Sequence, residues 1–269
     1  MSKIALIGAG RMGGALLDGW LASGVKASDI IIIDPRPGAA AKIAIKQGAA
    51  YAKSLSKGSA MDLQTVILAI KPQMYSELAP AIAAALPKKA SVVSILAGTT
   101  QAKLAAVFGA RSLIRAMPNT PAAIGMGITA YYANANSNAA QITRAHRLLE
   151  AGGEVVRVDE ESLIDVVTAV SGSGPAYVFH LTETLEAAAI AAGAPADLAT
   201  KLARQTVIGS GALLDASADM SAAELRIAVT SPKGTTEAAL EVLMGEQGMA
   251  ALMRRAVAAA KARSKVLGK

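Results

Sequence analysis

Five short runs in the first half of this 269-residue chain constrain its fold more than any other feature. They are Lys3–Ala9 (KIALIGA), Ile30–Asp34 (IIIID), Thr65–Lys71 (TVILAIK), Ser91–Ala97 (SVVSILA) and Ser112–Met117 (SLIRAM). Each is nearly all apolar and rich in β-branched residues, without alternation of polar and apolar positions. A strand with one wet face alternates. A strand covered on both faces does not, and that is the habit of parallel sheets. Helix-length segments separate the runs and stop sensibly, at Gly24 after Leu16–Ser23 and at Gly48 after Ala39–Gln47. This strand–helix–strand grammar predicts an α/β fold with a Rossmann-type, doubly wound parallel sheet. Ile128–Ala133 (ITAYYA) and Glu154–Asp159 (EVVRVD) extend that sheet, with a helix expected over Ala139–Leu149.

After Asp159 the strands stop. Helices are expected at Glu160–Val170, Ala176–Ala192, Pro195–Ala216, Ala222–Val229, Thr236–Met244 and Glu246–Val266. Pro175 and Pro195 fall in first helical turns, where a missing N–H costs little. Two domains are therefore expected: a dinucleotide-binding domain over 1–159 and an all-helical domain over 160–269. The long apolar helices of the second offer a surface for dimerisation.

Composition closes off several classes. Apolar residues make up 53% of the chain, an excess owed mostly to alanine. No uninterrupted run approaches the roughly 20 residues of a membrane-spanning helix. There is no cysteine, which excludes disulfides, thiolate metal sites and cysteine nucleophiles. The two histidines lie far apart, so no metal site is expected. Ser2-Lys3 leads straight into a strand-like run, unlike a secretion signal, and a cytoplasmic protein is expected. The net charge is +7, but lysine and arginine are dispersed and aromatics are only 3%. That is not the concentrated basic stripe of a nucleic-acid binder. The C-terminal cluster Arg254, Arg255, Lys261, Arg263, Lys265 and Lys269 reads as a solvated helix face.

Gly8-Ala9-Gly10-Arg11-Met12-Gly13 closes the first strand and opens a helix, the context in which G-x-G-x-x-G means a dinucleotide cradle. Gly8 permits the tight turn, Gly10 lets the backbone approach a pyrophosphate, and Gly13 lets helix and strand pack closely. Arg11 and Met12 lie in the same turn, whose N–H groups and dipole favour phosphates. The second strand ends at Asp34, placed to hydrogen-bond ribose hydroxyls as in NAD enzymes. Arg36, two residues on, suits a 2′-phosphate, so NAD(H) and NADP(H) both stay open. Ala69-Ile70-Lys71-Pro72, Ala97-Gly98-Thr99 and Met117-Pro118-Asn119-Thr120-Pro121 close later strands. Ligands in such sheets bind outside the strands' carboxyl ends, so the three loops are expected to face one crevice. The Asn119 amide either orients nicotinamide or substrate, or serves the turn between two prolines.

Two hydroxyl- and glycine-rich segments mark the second half. Ser171-Gly172-Ser173-Gly174-Pro175-Ala176-Tyr177 opens a long helix, either as a donor-rich N-terminus or as a hinge. Thr230-Ser231-Pro232-Lys233-Gly234-Thr235-Thr236 interrupts the alanine-rich helices with a turn. Thr235 or Thr236 is expected to cap the following helix. The N–H groups around Gly234–Thr236 would then be open to a carboxylate.

With these motifs together, the chain resembles the pyrroline-5-carboxylate reductases along its whole length. GAGRMG, AIKP, RAMPNTP, SGSGPAYVF and TSPKGTT occur in the family's order and spacing. The resemblance implies reduction of Δ1-pyrroline-5-carboxylate to L-proline, the last step of proline biosynthesis, with NADPH or NADH. It implies a helical domain that interlocks with a second copy, as a homodimer or higher oligomer. It places the cofactor on Gly8, Gly10 and Gly13, the Asp34–Arg36 region, Ala69 and Lys71, with Asn119 near the nicotinamide. Ser231, Gly234, Thr235 and Thr236 would receive the substrate together with Ser173, and Thr236 would hydrogen-bond the ring nitrogen. The family's usual turn reads Ser-Pro-Gly-Gly-Thr, so Lys233 stands where a glycine is usual. It is expected at negative φ, with its ammonium in solvent.

The chemistry suits the residues. A carbonyl reductase must protonate a developing alkoxide and recruits Lys, His or Tyr to do so. A cyclic imine is basic enough to arrive protonated, so hydroxyls, amides and positioning suffice. 3-Hydroxyacid dehydrogenases resemble this two-domain plan, but carry a lysine on the helix after their glycine-rich substrate loop. Ala176–Ala192 contains none. A non-catalytic dinucleotide sensor would keep GAGRMG and lose the TSPKGTT turn. His146, His180, Glu183 and Glu186 read as packing or surface residues.

Overall fold

A computed structural model describes residues 3–56 and 62–268. Ser2 and Lys269, used above for the N-terminus and the basic tail, lie outside the described residues. Eight strands among them form one sheet in the order β3-β2-β1-β4-β5-β6-β7-β8. They are β1 (Lys3–Ile7), β2 (Ile30–Ile33), β3 (Ala50–Ala52), β4 (Leu63–Leu68), β5 (Ser91–Ser94), β6 (Leu113–Met117), β7 (Gly127–Ala133) and β8 (Gly153–Arg157). All pairings are parallel except β6 with β7. Only a short 3₁₀ turn, Thr120–Ile124, connects those two strands. A parallel crossover needs about a dozen residues or more, so the sheet turns mixed at this point.

The isoleucine-rich runs are apolar on both faces because each face has its own core. Ile4, Leu6, Ile30, Ile32, Ile67 and Val93 pack with Leu16, Leu17 and Trp20 of α1 (Arg11–Ala22). Their neighbours Ala5, Ile7, Ile31, Ile33, Val66, Leu68 and Val92 pack on the other face. There they meet Tyr75 and Ile82 of α3 (Tyr75–Ala85) and Leu104 and Phe108 of α4 (Gln101–Phe108). α2 (Ala39–Lys46) adds Ala41 and Ala44 to the first core. Trp20 is fully buried, and its indole N–H donates to the Leu148 carbonyl at 2.7 Å, tying α1 to α5 (Ala139–Leu149). On the opposite face the Tyr75 hydroxyl donates to the Lys103 carbonyl at 3.0 Å. Burial pushes that phenol up to about 12.

β3 carries no sequence signal. Its three residues are exposed or half-exposed, and an edge strand with so little to bury shows no apolar pattern. Beyond β8, α6 (Leu163–Val167) runs into a π-turn over Thr168–Gly172, which overruns the end of the helix expected over Glu160–Val170. α7 (Gly174–Ala191), α8 (Ala196–Ala216), α9 (Ala222–Ala228), α10 (Thr235–Leu243) and α11 (Met249–Leu267) follow.

The chain divides into two compact units, residues 1–173 with 260–269, and residues 174–259. α6 belongs to the first because it packs on β6 and β7. A buried ionic cluster holds the last turns of α11 in that unit as well. Arg115 of β6 is 3% exposed and sits 2.8 Å from Glu161 and 3.6 Å from Asp165. Glu161 also accepts the Gln101 N–H at 2.7 Å, and Asp165 accepts the Ser264 hydroxyl at 2.7 Å.

In the second unit α7, α9 and α10 bury no residue fully. Phe179, Ile208, Leu213, Ile227 and Val242 are each more than half exposed. His180 and Glu183 form a surface pair at 3.1 Å, while Glu186 accepts the Thr200 hydroxyl at 2.8 Å and joins α7 to α8. His146 packs edge-on against Tyr131, with ring centres 5.8 Å apart. Among the described residues no helix is long and apolar enough to cross a membrane.

Candidate cofactor and substrate sites

The glycine turn has the geometry its spacing suggests. Gly8 lies at φ +92°, and a Cβ there would stand 2.6 Å from the Ala69 carbonyl oxygen. A Cβ on Gly13 would collide with the Gly8 carbonyl oxygen and stand 3.2 Å from the Ala69 Cβ. Gly10 differs from both: a Cβ there meets nothing within 4 Å. Packing therefore demands Gly8 and Gly13, while among the described residues nothing fills the space over Gly10. A backbone kept bare beside open space is what close approach of a pyrophosphate needs. Gly10 is the N-cap of α1, and the first intrahelical bond runs from the Gly14 N–H to the Gly10 carbonyl at 2.7 Å. The N–H groups of Arg11, Met12 and Gly13 precede it, as the opening donors of a helix do.

A cleft of about 470 Å³ adjoins this turn, lined by Gly8, Gly10, Asp34, Arg36, Ala69 and Lys71, and also by Lys53 and Ser54. A neighbouring cleft of about 420 Å³ shares Gly10 and Arg36 and adds Arg11. Met12, Gly13 and Asn119 line neither. Asp34 is engaged with the backbone. One carboxylate oxygen accepts the Ala9 N–H and the other the Arg36 N–H, both at 2.7 Å. The carboxylate thus ties the glycine turn to the end of β2, and each oxygen keeps lone-pair capacity for a further donor. Arg36, Lys53 and Lys71 set three cations against that one carboxylate. Lys53 escaped the sequence reading. Its only signal is a place just past the carboxyl end of β3, and β3 itself was invisible.

Of the three later loops, only Ala69–Lys71 lines the larger cleft. The loop after β5 meets the end of α11: a Cβ on Gly98, at φ +72°, would stand 2.9 Å from the Leu267 Cβ. The end of α11 thus packs directly on one of the three loops expected to face the crevice. Asn119 performs turn chemistry, its side-chain oxygen accepting the Ile128 N–H at 2.9 Å, which leaves its NH₂ as donor. Ser173 donates its N–H to the Thr168 carbonyl at 2.9 Å, closing the π-turn. Gly172 packs so tightly on Met117 that a Cβ would stand 2.7 Å from the Met117 Cε.

The turn before α10 differs from expectation in two ways. Gly234, not a threonine, is the N-cap, at φ −88° and ψ 172° with no side-chain cap. Thr235 and Thr236 are the first two helical residues, so neither hydroxyl is spent on capping. Lys233 lies at φ +58°, the single non-glycine residue at positive φ among those described. The expectation of negative φ fails because the turn closes with Pro232 and Lys233 at its centre. The Gly234 N–H donates to the Ser231 carbonyl at 3.0 Å, and the Lys233 N–H donates to a Glu237 carboxylate oxygen at 2.6 Å. The Lys233 side chain is exposed, as expected.

Comparison with known proteins joins these observations. Residues 161–267 match the model of the pyrroline-5-carboxylate reductase dimerisation family, and residues 3–98 match that of the coenzyme F420-dependent NADP oxidoreductases. The pyrroline-5-carboxylate reductase of Pseudomonas aeruginosa is 42% identical over 263 residues, 97% of this chain and 95% of that one. The structure of the Coxiella burnetii reductase superposes with a TM-score of 0.90 at 32% identity, covering 100% of this chain and 99% of that one. The Plasmodium falciparum enzyme, solved with NADP bound, gives 0.83 at 27% identity, over 100% of this chain and 98% of that one. A likeness this extensive, running through both the sheet and the helices, means that the chain belongs to the pyrroline-5-carboxylate reductase family.

Proposed function

We infer that this protein reduces the cyclic imine 1-pyrroline-5-carboxylate to L-proline with NADPH or NADH, the last step of proline biosynthesis. The observation that carries this reading is full-length identity to reductases of that name, combined with a glycine turn kept open over Gly10. The chain's residues fit a dinucleotide. Gly8, Gly10, Arg11, Met12 and Gly13 supply the turn and its N–H donors. Asp34 and Arg36 face the adenosine ribose, Ala69 and Lys71 flank it, and the Asn119 NH₂ serves the nicotinamide end. When bound, the reduced nicotinamide supplies the hydride that the imine carbon must gain.

The remaining work belongs to the helical domain, taken as residues 160–269. Ser231, Gly234 and the N–H groups of Thr235 and Thr236 receive the substrate carboxylate at the start of α10. The Thr236 hydroxyl, unspent on capping, hydrogen-bonds the ring nitrogen and holds its proton in place. An iminium that arrives protonated needs no stronger acid, so orientation supplies most of the rate. The family's dimerisation region implies a homo-oligomer. The apolar face of α7 and α8 is its surface, in an enzyme of the cytoplasm.

The test mixes purified protein with pyrroline-5-carboxylate and either NADPH or NADH, following nicotinamide absorbance and proline formation. Oxidation with at least one cofactor, matched by proline, is expected. Silence with both would overturn the reading.

A further inference from the structure

Lys233 presents an unusual combination. The Ser231–Gly234 turn has proline at its second position, a hydrogen bond from the Gly234 N–H to the Ser231 carbonyl, and positive φ at its third. That is the pattern of a type II turn, whose third position favours glycine. A residue with a Cβ at that position favours the type I form, with φ near about −90°. The two forms differ by a flip of the central peptide, here Pro232–Lys233, which exchanges the directions of its N–H and C=O. Lysine therefore biases this turn away from the form it adopts.

One contact opposes that bias. The Glu237 carboxylate, one turn into α10, accepts the Lys233 N–H at 2.6 Å. That N–H belongs to the peptide that must flip. Accepting it favours one of the two orientations, and an ionised acceptor makes the bond strong. Glu237 is half-buried, and its helix begins with Thr235 and Thr236.

We propose that Glu237 is a positioning residue for the substrate turn: it holds the Pro232–Lys233 peptide in its strained orientation and so keeps Ser231, Gly234, Thr235 and Thr236 arranged for the substrate. This rests on the reading of that turn as the substrate site. Glu237 acts through Lys233 and does not itself touch the substrate. Its importance follows from the lysine, because glycine at 233 adopts positive φ freely and would make the clasp dispensable.

The test is a comparison of steady-state kinetics in two backgrounds. Glu237→Ala in the natural chain is expected to raise KM for pyrroline-5-carboxylate about ten-fold, with KM for NADPH unchanged. With Lys233→Gly already present, the same change is expected to raise it about two-fold or less. Glu237→Gln keeps a neutral oxygen for the N–H and is expected to cost only about two- to three-fold, and only when Lys233 is present. This variant carries the comparison where Glu237→Ala does not fold. A purely structural role would lower the melting temperature without separating the two KM values. Equal losses in both backgrounds, an unchanged KM for the imine, or glutamine as damaging as alanine would each overturn the clasp. Normal turnover by the natural chain in those cases leaves the functional reading standing. No turnover by the natural chain with either cofactor overturns both.

Discussion

At the residue scale, the glycine turn separates two uses of glycine that a motif treats alike. Gly13 is required by packing, since a Cβ would run into the Gly8 carbonyl. Gly13→Ala is expected to destabilise the protein by about 2 kcal/mol, read from urea denaturation. Gly10 lies at φ −74° beside open space, so alanine fits the protein itself. Gly10→Ala should melt like the natural chain yet bind NADPH about ten-fold more weakly by calorimetric titration. Equal affinity would mean that the turn holds no phosphate. Arg36 and Lys53 allow a second experiment on the same cleft. Each changed to Ala should lose about ten-fold in kcat/KM with NADPH and much less with NADH, because only NADPH carries the extra phosphate. Equal losses with both cofactors would place those cations elsewhere. The sequence made Arg36 a candidate because it follows a clear strand. It gave no hint of Lys53, because the strand before it buries too little to leave a pattern.

At the scale of elements, two polar anchors fix helices in place, one to a neighbouring helix and one to the sheet. Tyr75 opens α3, and its hydroxyl donates to Lys103 of α4. Burial raises its pKa from an ordinary 10.0 to about 12, so the neutral phenol is favoured in the folded state. A folded pKa above the unfolded one contributes stability that is complete below the unfolded value and is lost as pH rises through the folded one. Urea midpoints should therefore fall between about pH 10 and 12, and Tyr75→Phe should flatten that fall. The second anchor is Arg115, facing Glu161 and Asp165, with Ser264 of α11 bonded to Asp165. Removing one member of a buried ionic cluster leaves the others unpaired. Arg115→Met is expected to cost about 3 kcal/mol in urea denaturation and to speed amide exchange in residues 260–268. Unchanged exchange there would detach α11 from the cluster. Arg115 sits mid-strand in a run read simply as apolar, and its partners come from residues 161, 165 and 264. No local pattern could have joined them.

At the scale of the whole molecule, the helical unit leaves large apolar side chains in solvent, Phe179 at 64% and Val242 at 77% exposure. Surface of that kind marks an interaction site, in line with the family's dimerisation region. Phe179→Glu should lower the mass measured by sedimentation equilibrium, and an unchanged mass would move the interface off that face of α7. The chain's own pattern determined a great deal: the buried β-branched runs dictated the sheet, the glycine spacing dictated the turn, and the loss of strands after Asp159 dictated the helices. These are local properties, written in neighbouring residues, and short-range physics reads them. The tertiary structure decided the rest. It turned β7 antiparallel, drew the end of α11 over the loop at Gly98, set Lys53 beside Arg36, and put Lys233 at positive φ with Glu237 holding its N–H. Each of those outcomes depends on a competition that local sequence does not contain, between a residue's own preference and a bond or contact that exists only once the chain has folded.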